Sequence, residues 1–248
     1  MIWCLHGAVG MASDWNDFSA RMAMAGHEVR AVDLWEFADG RGCSLAEFGE
    51  ALCREVERED EEPVLVGYSL GGRLGLHALL AKPSLWKAAV IASAHPGIGG
   101  EEDRVLRMAE DARWAAHALT GEWEAFLERW NTQGILRRSL GPGLADRGDL
   151  ESRREAVARG FMEWSLGKQD DLRPRLGEVP CPVLWMTGAE DEKFRALAEE
   201  AVACLPDAWH CIVASAGHRV VWDAAEHVAE EIERFLVQRG CSPRESRE

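Results

Sequence analysis

Short apolar runs rich in β-branched residues alternate along this chain with stretches whose apolar positions recur every three or four residues. The runs Ile2–Leu5, Glu28–Val32, Val64–Gly67, Ala88–Ala92, Val183–Thr187 and Trp209–Ala214 predict strands. The stretches between them predict helices. Ser44-Leu45-Ala46-Glu47 reads as a capping box, and Leu45, Phe48, Leu52 and Val56 then share one face. Leu70 to Ala81 predicts a helix that stops at Lys82-Pro83, because the residue before proline disfavours helical backbone. Leu197, Ala201, Val202 and Leu205 mark another helix, and Val228, Ile232, Phe235 and Leu236 mark the last. Alternation of this kind predicts an α/β fold with a mainly parallel sheet flanked by helices.

One segment breaks the rhythm. Residues 101–175 carry helical patterns and no convincing strand, which predicts a small helical cap inserted into a core of residues 1–100 and 176–240. Gly141-Pro142-Gly143 predicts a loop within that cap, and the polar residues 241–248 predict a disordered tail. The inserted segment holds 13 Lys/Arg against 15 Asp/Glu, whereas the whole chain carries a net charge of −15. A nearly neutral, arginine-rich lid on an acidic body suits an anionic ligand. A solvated helical surface is the plainer reading for most of those arginines.

Composition narrows the classes. At 248 residues and 47% hydrophobic, the chain can bury one large core. The acidic balance argues against nucleic-acid and anionic-membrane partners, since both need a basic face. No apolar run approaches the roughly 20 residues of a membrane span. The start Met1-Ile2-Trp3-Cys4 reads as a strand rather than a signal peptide. Seven cysteines at wide spacings, with no CxxC, argue against a metal or disulfide framework and predict a reducing cytoplasm. Neither a metal nor a cofactor is expected. The oligomeric state is not legible.

The chemistry concentrates at Val64-Leu65-Val66-Gly67-Tyr68-Ser69-Leu70-Gly71-Gly72-Arg73, a strand ending in G-x-S-x-G and running straight into a helix. A serine in so sharp a turn points its hydroxyl out of the sheet, and small residues at Gly67 and Gly71 let the backbone turn that tightly. A serine hydroxyl needs an imidazole to take its proton and a carboxylate to hold that imidazole in the right tautomer. His218, in the loop Ser215-Ala216-Gly217-His218 after the last strand, is placed to be the base. His210 in the strand before it and His227 in the helix after it read as structural. Asp191, in the turn Gly188-Ala189-Glu190-Asp191 past a strand end, is the preferred acid; Glu190 is the weaker candidate. The oxyanion hole is assigned to the backbone N–H groups of Leu70 and Ala8. His6 either braces the Ala8 loop or is merely packed. His95 either lines the site or forms a simple turn.

These residues resemble the α/β-hydrolase superfamily and, more narrowly, the 2-succinyl-6-hydroxy-2,4-cyclohexadiene-1-carboxylate synthases of menaquinone biosynthesis. The resemblance rests on Gly67-Tyr68-Ser69-Leu70-Gly71-Gly72-Arg73, Ser93-x-x-Pro96-Gly97, Arg107-x-x-x-Asp111-x-x-Trp114-Ala115, Trp130, Gly188-x-x-Asp191-x-Lys193-Phe194 and Ala216-Gly217-His218, in that order. It implies an α/β-hydrolase fold and a lyase that removes pyruvate from a cyclohexene bearing succinyl, enolpyruvyl and carboxylate groups. By the same resemblance Ser69, activated by His218 and Asp191, abstracts a ring proton. Arg73, Arg107, Arg159, Trp130 and Tyr68 are then expected to meet a small anionic carboxylate substrate. A guanidinium is the best bidentate partner for a carboxylate.

The chain departs from the synthase pattern in places. It begins directly at the strand before His6-Gly7, without the usual leading hairpin. Val32-Asp33-Leu34-Trp35-Glu36 replaces an Asp-x-Pro-Gly-x-Gly turn, Asn131 replaces an aromatic residue, and His95 replaces an Asn. A carboxylesterase or thioesterase acting on a small anionic acyl substrate is the alternative expectation, and a non-catalytic ligand receptor is a third.

Overall fold

A computed structural model describes residues 1–38, 43–136 and 147–241. Six strands form one sheet: β1 Ile2–Leu5, β2 Val29–Val32, β3 Val64–Tyr68, β4 Ala88–Ala92, β5 Val183–Gly188 and β6 Ala208–Val213. Their order is β2-β1-β3-β4-β5-β6, and every neighbouring pair is parallel. Each expected strand is present, with ends shifted by at most one residue. The helices are α1 Asn16–Met24, α2 Leu34–Ala38, α3 Leu45–Glu59, α4 Leu70–Ala81, α5 Glu101–Thr120, α6 Trp123–Asn131, α7 Arg154–Glu163, α8 Glu192–Val202, α9 Val220–Asp223 and α10 Ala225–Gln238. Leu205, expected in the same helix as Leu197, lies beyond the end of α8 in the turn that leads to β6.

The strands explain their own burial. Parallel strands covered on both faces read as continuous apolar runs, and β1, β3, β4 and β5 are buried at every position. Successive side chains point to opposite faces. Trp3, Leu5, Leu65, Ala89, Ile91, Val183 and Trp185 therefore join a core on one side. Ile2, Cys4, Val64, Val66, Val90, Leu184 and Met186 join a second core on the other.

Helix α3 begins as its sequence dictates. The Ser44 Oγ accepts from the Glu47 N–H at 3.2 Å, and the Glu47 carboxylate accepts from the Ser44 N–H at 2.8 Å. Leu45, Phe48, Leu52 and Val56 then face the core. Ser44→Ala is expected to cost about 1 kcal/mol and to lower Tm by about 2–4 °C, as thermal unfolding would read.

Between β4 and β5 the described residues contain helices and no strand. Helices α5, α6 and α7 occupy this stretch with the 3-10 turn Asp149–Arg153. A second 3-10 turn, Arg173–Glu178, carries the chain from the insertion back toward β5. Helix α7 packs on α5 and on α2. The loop expected at Gly141-Pro142-Gly143 lies outside the described residues, as does the tail beyond Cys241. Among the described residues no helix is long and apolar enough to cross a membrane.

Candidate active site

The strand order reverses between β1 and β3: the chain steps from β1 to β2 on one side, then crosses to β3 on the other. Ligands of open parallel sheets bind at such a switch point, outside the carboxyl ends of the strands. Both halves of the expected site start there. The loop His6-Gly7-Ala8 follows β1, and Ser69 follows β3.

Ser69 turns the chain from β3 into α4 with φ 51° and ψ −109°, a conformation that ordinary L-residues rarely adopt. The turn is pinned from both sides: the Ser69 N–H donates to the Ala92 carbonyl, and the Ser69 carbonyl accepts from the Arg73 N–H. The start of α4 lies directly on β1, so a Cβ on Gly71 would stand 2.2 Å from the Leu5 carbonyl oxygen. Among the described residues three further non-glycine residues have positive φ: Val9, Ser93 and Ser215. They follow β1, β4 and β6, so the strained backbone gathers at the carboxyl edge of the sheet. Such strain persists only where surrounding structure over-determines it, and it marks functional edges.

The three expected side chains meet. The Ser69 Oγ lies 3.2 Å from His218 Nε2, and His218 Nδ1 lies 2.7 Å from Asp191 Oδ2. Asp191 and His218 are buried, whereas Glu190 is exposed. Asp191 serves a second purpose as the N-cap of α8, where Oδ1 accepts from the Phe194 N–H. The imidazole of His218 sits between two rings, with Phe194 at 4.4 Å and Tyr68 at 5.7 Å. Its loop is tied by the Gly217 N–H, which donates to Asp223 at 2.9 Å. A carboxylate on Nδ1 keeps the proton there, so Nε2 is left as a lone pair facing the hydroxyl.

The N–H groups of Ala8 and Leu70 border the same cavity, and among the described residues neither makes a backbone hydrogen bond. His6 braces the loop that carries Ala8. Its Nε2 accepts from the Leu34 N–H at 3.1 Å, so the proton resides on Nδ1, which donates to the Gly7 carbonyl at 2.9 Å. Burial drives the His6 imidazole down to about 4 and keeps it neutral.

Above these groups lies a cavity of about 170 Å³. Trp114, Trp130, Phe161 and Trp164 of the inserted segment supply an aromatic wall, and Tyr68 and Trp222 of the body also line the cavity. Trp130 packs edge-to-face on Trp114 at 5.1 Å and on Phe161 at 5.3 Å. Among the described residues five cations line the cavity: Arg73, Arg107, Arg147, Lys193 and Arg219. Against them stand Asp14, Glu110 and Asp111. A chain of net charge −15 thus encloses a locally positive pocket.

The cations differ in their partners. Arg147 and Asp14 form a buried two-armed pair at 2.6 and 2.8 Å. Arg107 holds Asp111 at 2.9 Å. Arg219 donates to Asn131, whose own amide donates to the Leu127 carbonyl. Arg73 is buried, yet among the described residues it and Lys193 make no ion pair; Arg73 donates to Gln169 and to the Trp164 carbonyl. Desolvation and the neighbouring Arg107 together pull the Arg73 guanidinium down to about 9.

Arg159 was expected at the cavity, and the described residues place it elsewhere. Among the described residues it does not line the cavity, where α7 presents Val157, Gly160 and Phe161, and Trp164 just past its end, at helical spacing. Residue 159 falls off that stripe. His95 does line the cavity. Its Nδ1 accepts from the Gly97 N–H at 3.0 Å, which leaves the proton on Nε2. Burial and the nearby Lys193 hold His95 down to about 3, so it is a neutral donor. Arg147, Arg219 and Gln169 were not singled out by their sequence context. Only Arg219 carried a usable sign, its place directly after the histidine of the site. Among the described residues no group of three His, Cys, Asp or Glu side chains is placed to hold a metal ion.

Comparison with known proteins agrees with the fold. Residues 4–231 match the model of the alpha/beta hydrolase family, and the chain belongs to that family. Within it, the chain is 30% identical over 243 residues to the 2-succinyl-6-hydroxy-2,4-cyclohexadiene-1-carboxylate synthase of Pectobacterium atrosepticum, covering 94% of this chain and 92% of that protein. It is also 30% identical over 247 residues to a protein of Bacillus subtilis named a putative synthase of the same kind, covering 94% and 89%. Among solved structures, MenH from S. aureus superposes with a TM-score of 0.83 at 20% identity, covering 96% and 94% of the two chains.

Proposed function

We propose that this protein is a lyase that converts 2-succinyl-5-enolpyruvyl-6-hydroxy-3-cyclohexene-1-carboxylate to 2-succinyl-6-hydroxy-2,4-cyclohexadiene-1-carboxylate and pyruvate. One observation carries the reading: Ser69, backed by His218 and Asp191, opens into a cavity whose walls hold buried Arg73 without a carboxylate partner. The similarity to the named synthases over nearly the whole chain supports it. The seven cysteines, all free, support a reducing cytoplasm as its setting.

In the proposed step His218 Nε2 takes the Ser69 proton as the serine oxygen takes a proton from the ring. The broken C–H bond supplies the electrons of the new ring double bond, and the C–O bond to the enolpyruvyl group breaks. The leaving enolate is protonated, with the proton held by His218 as its source, and becomes pyruvate. The step balances without water, oxidant or reductant. The Ala8 and Leu70 N–H groups stabilise the negative charge that develops on a substrate carbonyl. Arg73 and Arg107 hold carboxylates, while Tyr68 and Trp130 pack on the ring.

Release of pyruvate from the enolpyruvyl substrate, followed through a coupled reductase, is the test. Turnover is expected; folded protein that releases none overturns the proposal. Arg73→Ala is expected to raise KM about 10- to 150-fold, the worth of a lost charge-assisted hydrogen bond to a ligand carboxylate. An esterase would instead show a burst on p-nitrophenyl acetate and little response to that substitution.

A further inference from the structure

Gln169 is fully buried beside the cavity, and both ends of its amide are used. Its Oε1 accepts from Arg73 Nε at 2.9 Å, and its Nε2 donates to the His95 carbonyl at 3.1 Å. Only one orientation of the amide satisfies both partners, because a guanidinium only donates and a carbonyl only accepts. The second tether of Arg73, from Nη2 to the Trp164 carbonyl, is also neutral.

The nearest acid does not cancel the charge. The Asp111 carboxylate is occupied by Arg107 at 2.9 Å, by the Ser165 hydroxyl at 2.7 Å and by the Leu166 N–H at 3.2 Å. Two guanidiniums, Arg73 and Arg107, thus share the neighbourhood of one carboxylate at the cavity wall. A buried cation ordinarily takes an acid as its partner, and carrying one on neutral acceptors costs stability. The arrangement makes sense if the missing negative charge arrives with the ligand.

We propose that Gln169 is a positioning residue for anion recognition: it aims Arg73 while leaving its charge uncancelled for a ligand carboxylate. This inference rests on the reading of Arg73 as a substrate-binding residue. It assigns the neutrality of position 169, and not merely its shape, as the functional property. A glutamate there would have nearly the same size and would bind Arg73 more strongly, yet would consume the charge that the ligand needs. Among the described residues the hydrogen bonds of Gln169 go to Arg73 and the His95 carbonyl and not to Ser69 or His218, so the proton-transfer chain is expected to stay as it is.

The experiment compares wild type with R73A, Q169E and Q169M. Steady-state pyruvate release gives kcat and KM, calorimetric titration of the dicarboxylate product gives Kd, and thermal unfolding gives Tm. Gln169→Glu is expected to raise KM and product Kd about tenfold or more, on the scale of a neutralised charge-assisted contact, with kcat within about threefold of wild type. Gln169→Met keeps the volume, removes both hydrogen bonds and is expected to raise KM about fivefold, less than Glu does. That ranking separates a positioning role from a packing role, which would make the two variants follow their Tm values. Product Kd of Q169E within twofold of wild type, while R73A weakens it tenfold, overturns the assignment of Gln169 alone. Unchanged Kd in R73A overturns the reading of Arg73 and this inference with it. Should Q169E not fold, Q169M decides: an unchanged KM and Kd there overturn the proposal.

Discussion

Replacing Asp191 with Asn is expected to lower kcat about 10⁴-fold while leaving the fold intact. The reason lies in the two duties of this one side chain. Asp191 Oδ1 accepts from the Phe194 N–H at the start of α8, and Oδ2 accepts from His218 Nδ1. An asparagine has one oxygen. If that oxygen remains the helix cap, its NH₂ faces His218 and donates to Nδ1. The imidazole proton then moves to Nε2, which faces the Ser69 hydroxyl with a hydrogen where a lone pair is required. Asn and Asp are comparable N-caps, so Tm is expected to move by less than about 2 °C. Pyruvate-release kinetics and thermal unfolding on the same preparation check both halves. A kcat within tenfold of wild type would remove Asp191 from the proposed chemistry.

The second large effect falls on stability. Gly71→Ala is expected to cost about 4–5 kcal/mol, at the diagnostic extreme of single substitutions, and to lower Tm by about 10–20 °C. The added Cβ would stand 2.2 Å from the Leu5 oxygen, 2.5 Å from the Leu5 carbon and 2.6 Å from the His6 oxygen. All three are backbone atoms of β1 and the loop that follows, so no side chain can swing aside. Relief requires α4 to lift away from β1 and to carry Ser69 out of register with His218. Activity is therefore expected to fall together with Tm. Calorimetry on the purified variant is the check, and a Tm within 3 °C of wild type would mean that the helix is not clamped as described.

Much of this was legible in the sequence, and the reason is physical. Central parallel strands are buried on both faces, so they announce themselves as apolar runs. Local chemistry was equally readable: the Ser44-Glu47 box and the Lys82-Pro83 stop each act within a few residues. Ser69, Asp191 and His218 could be placed because each sits in a turn just past a strand end, and the carboxyl ends of parallel strands share one rim. The cavity wall was harder. Arg159 was expected there only by the family resemblance, but the rotation of α7 decides which of its residues meet the cavity, and Gly160 and Phe161 lie on the inner stripe. Gln169 and Arg147 act through partners 96 and 133 residues away, and no local pattern encodes such pairings.

The strands that bracket the inserted helices are direct neighbours, with Ala89 beside Val183 and Ala92 beside Met186. Because the pair is parallel, the excursion leaves at the carboxyl end of β4 and returns at the amino end of β5 with no strand set between them. Redesigning this roof, even wholesale, disturbs no ladder below it, while Ser69, His218 and Asp191 all remain on the foundation. Reactivity and the Arg73 contact thus stay with the sheet and α4, while the aromatic wall above them can change, and a graft of another roof onto these strands is a natural route to an altered specificity.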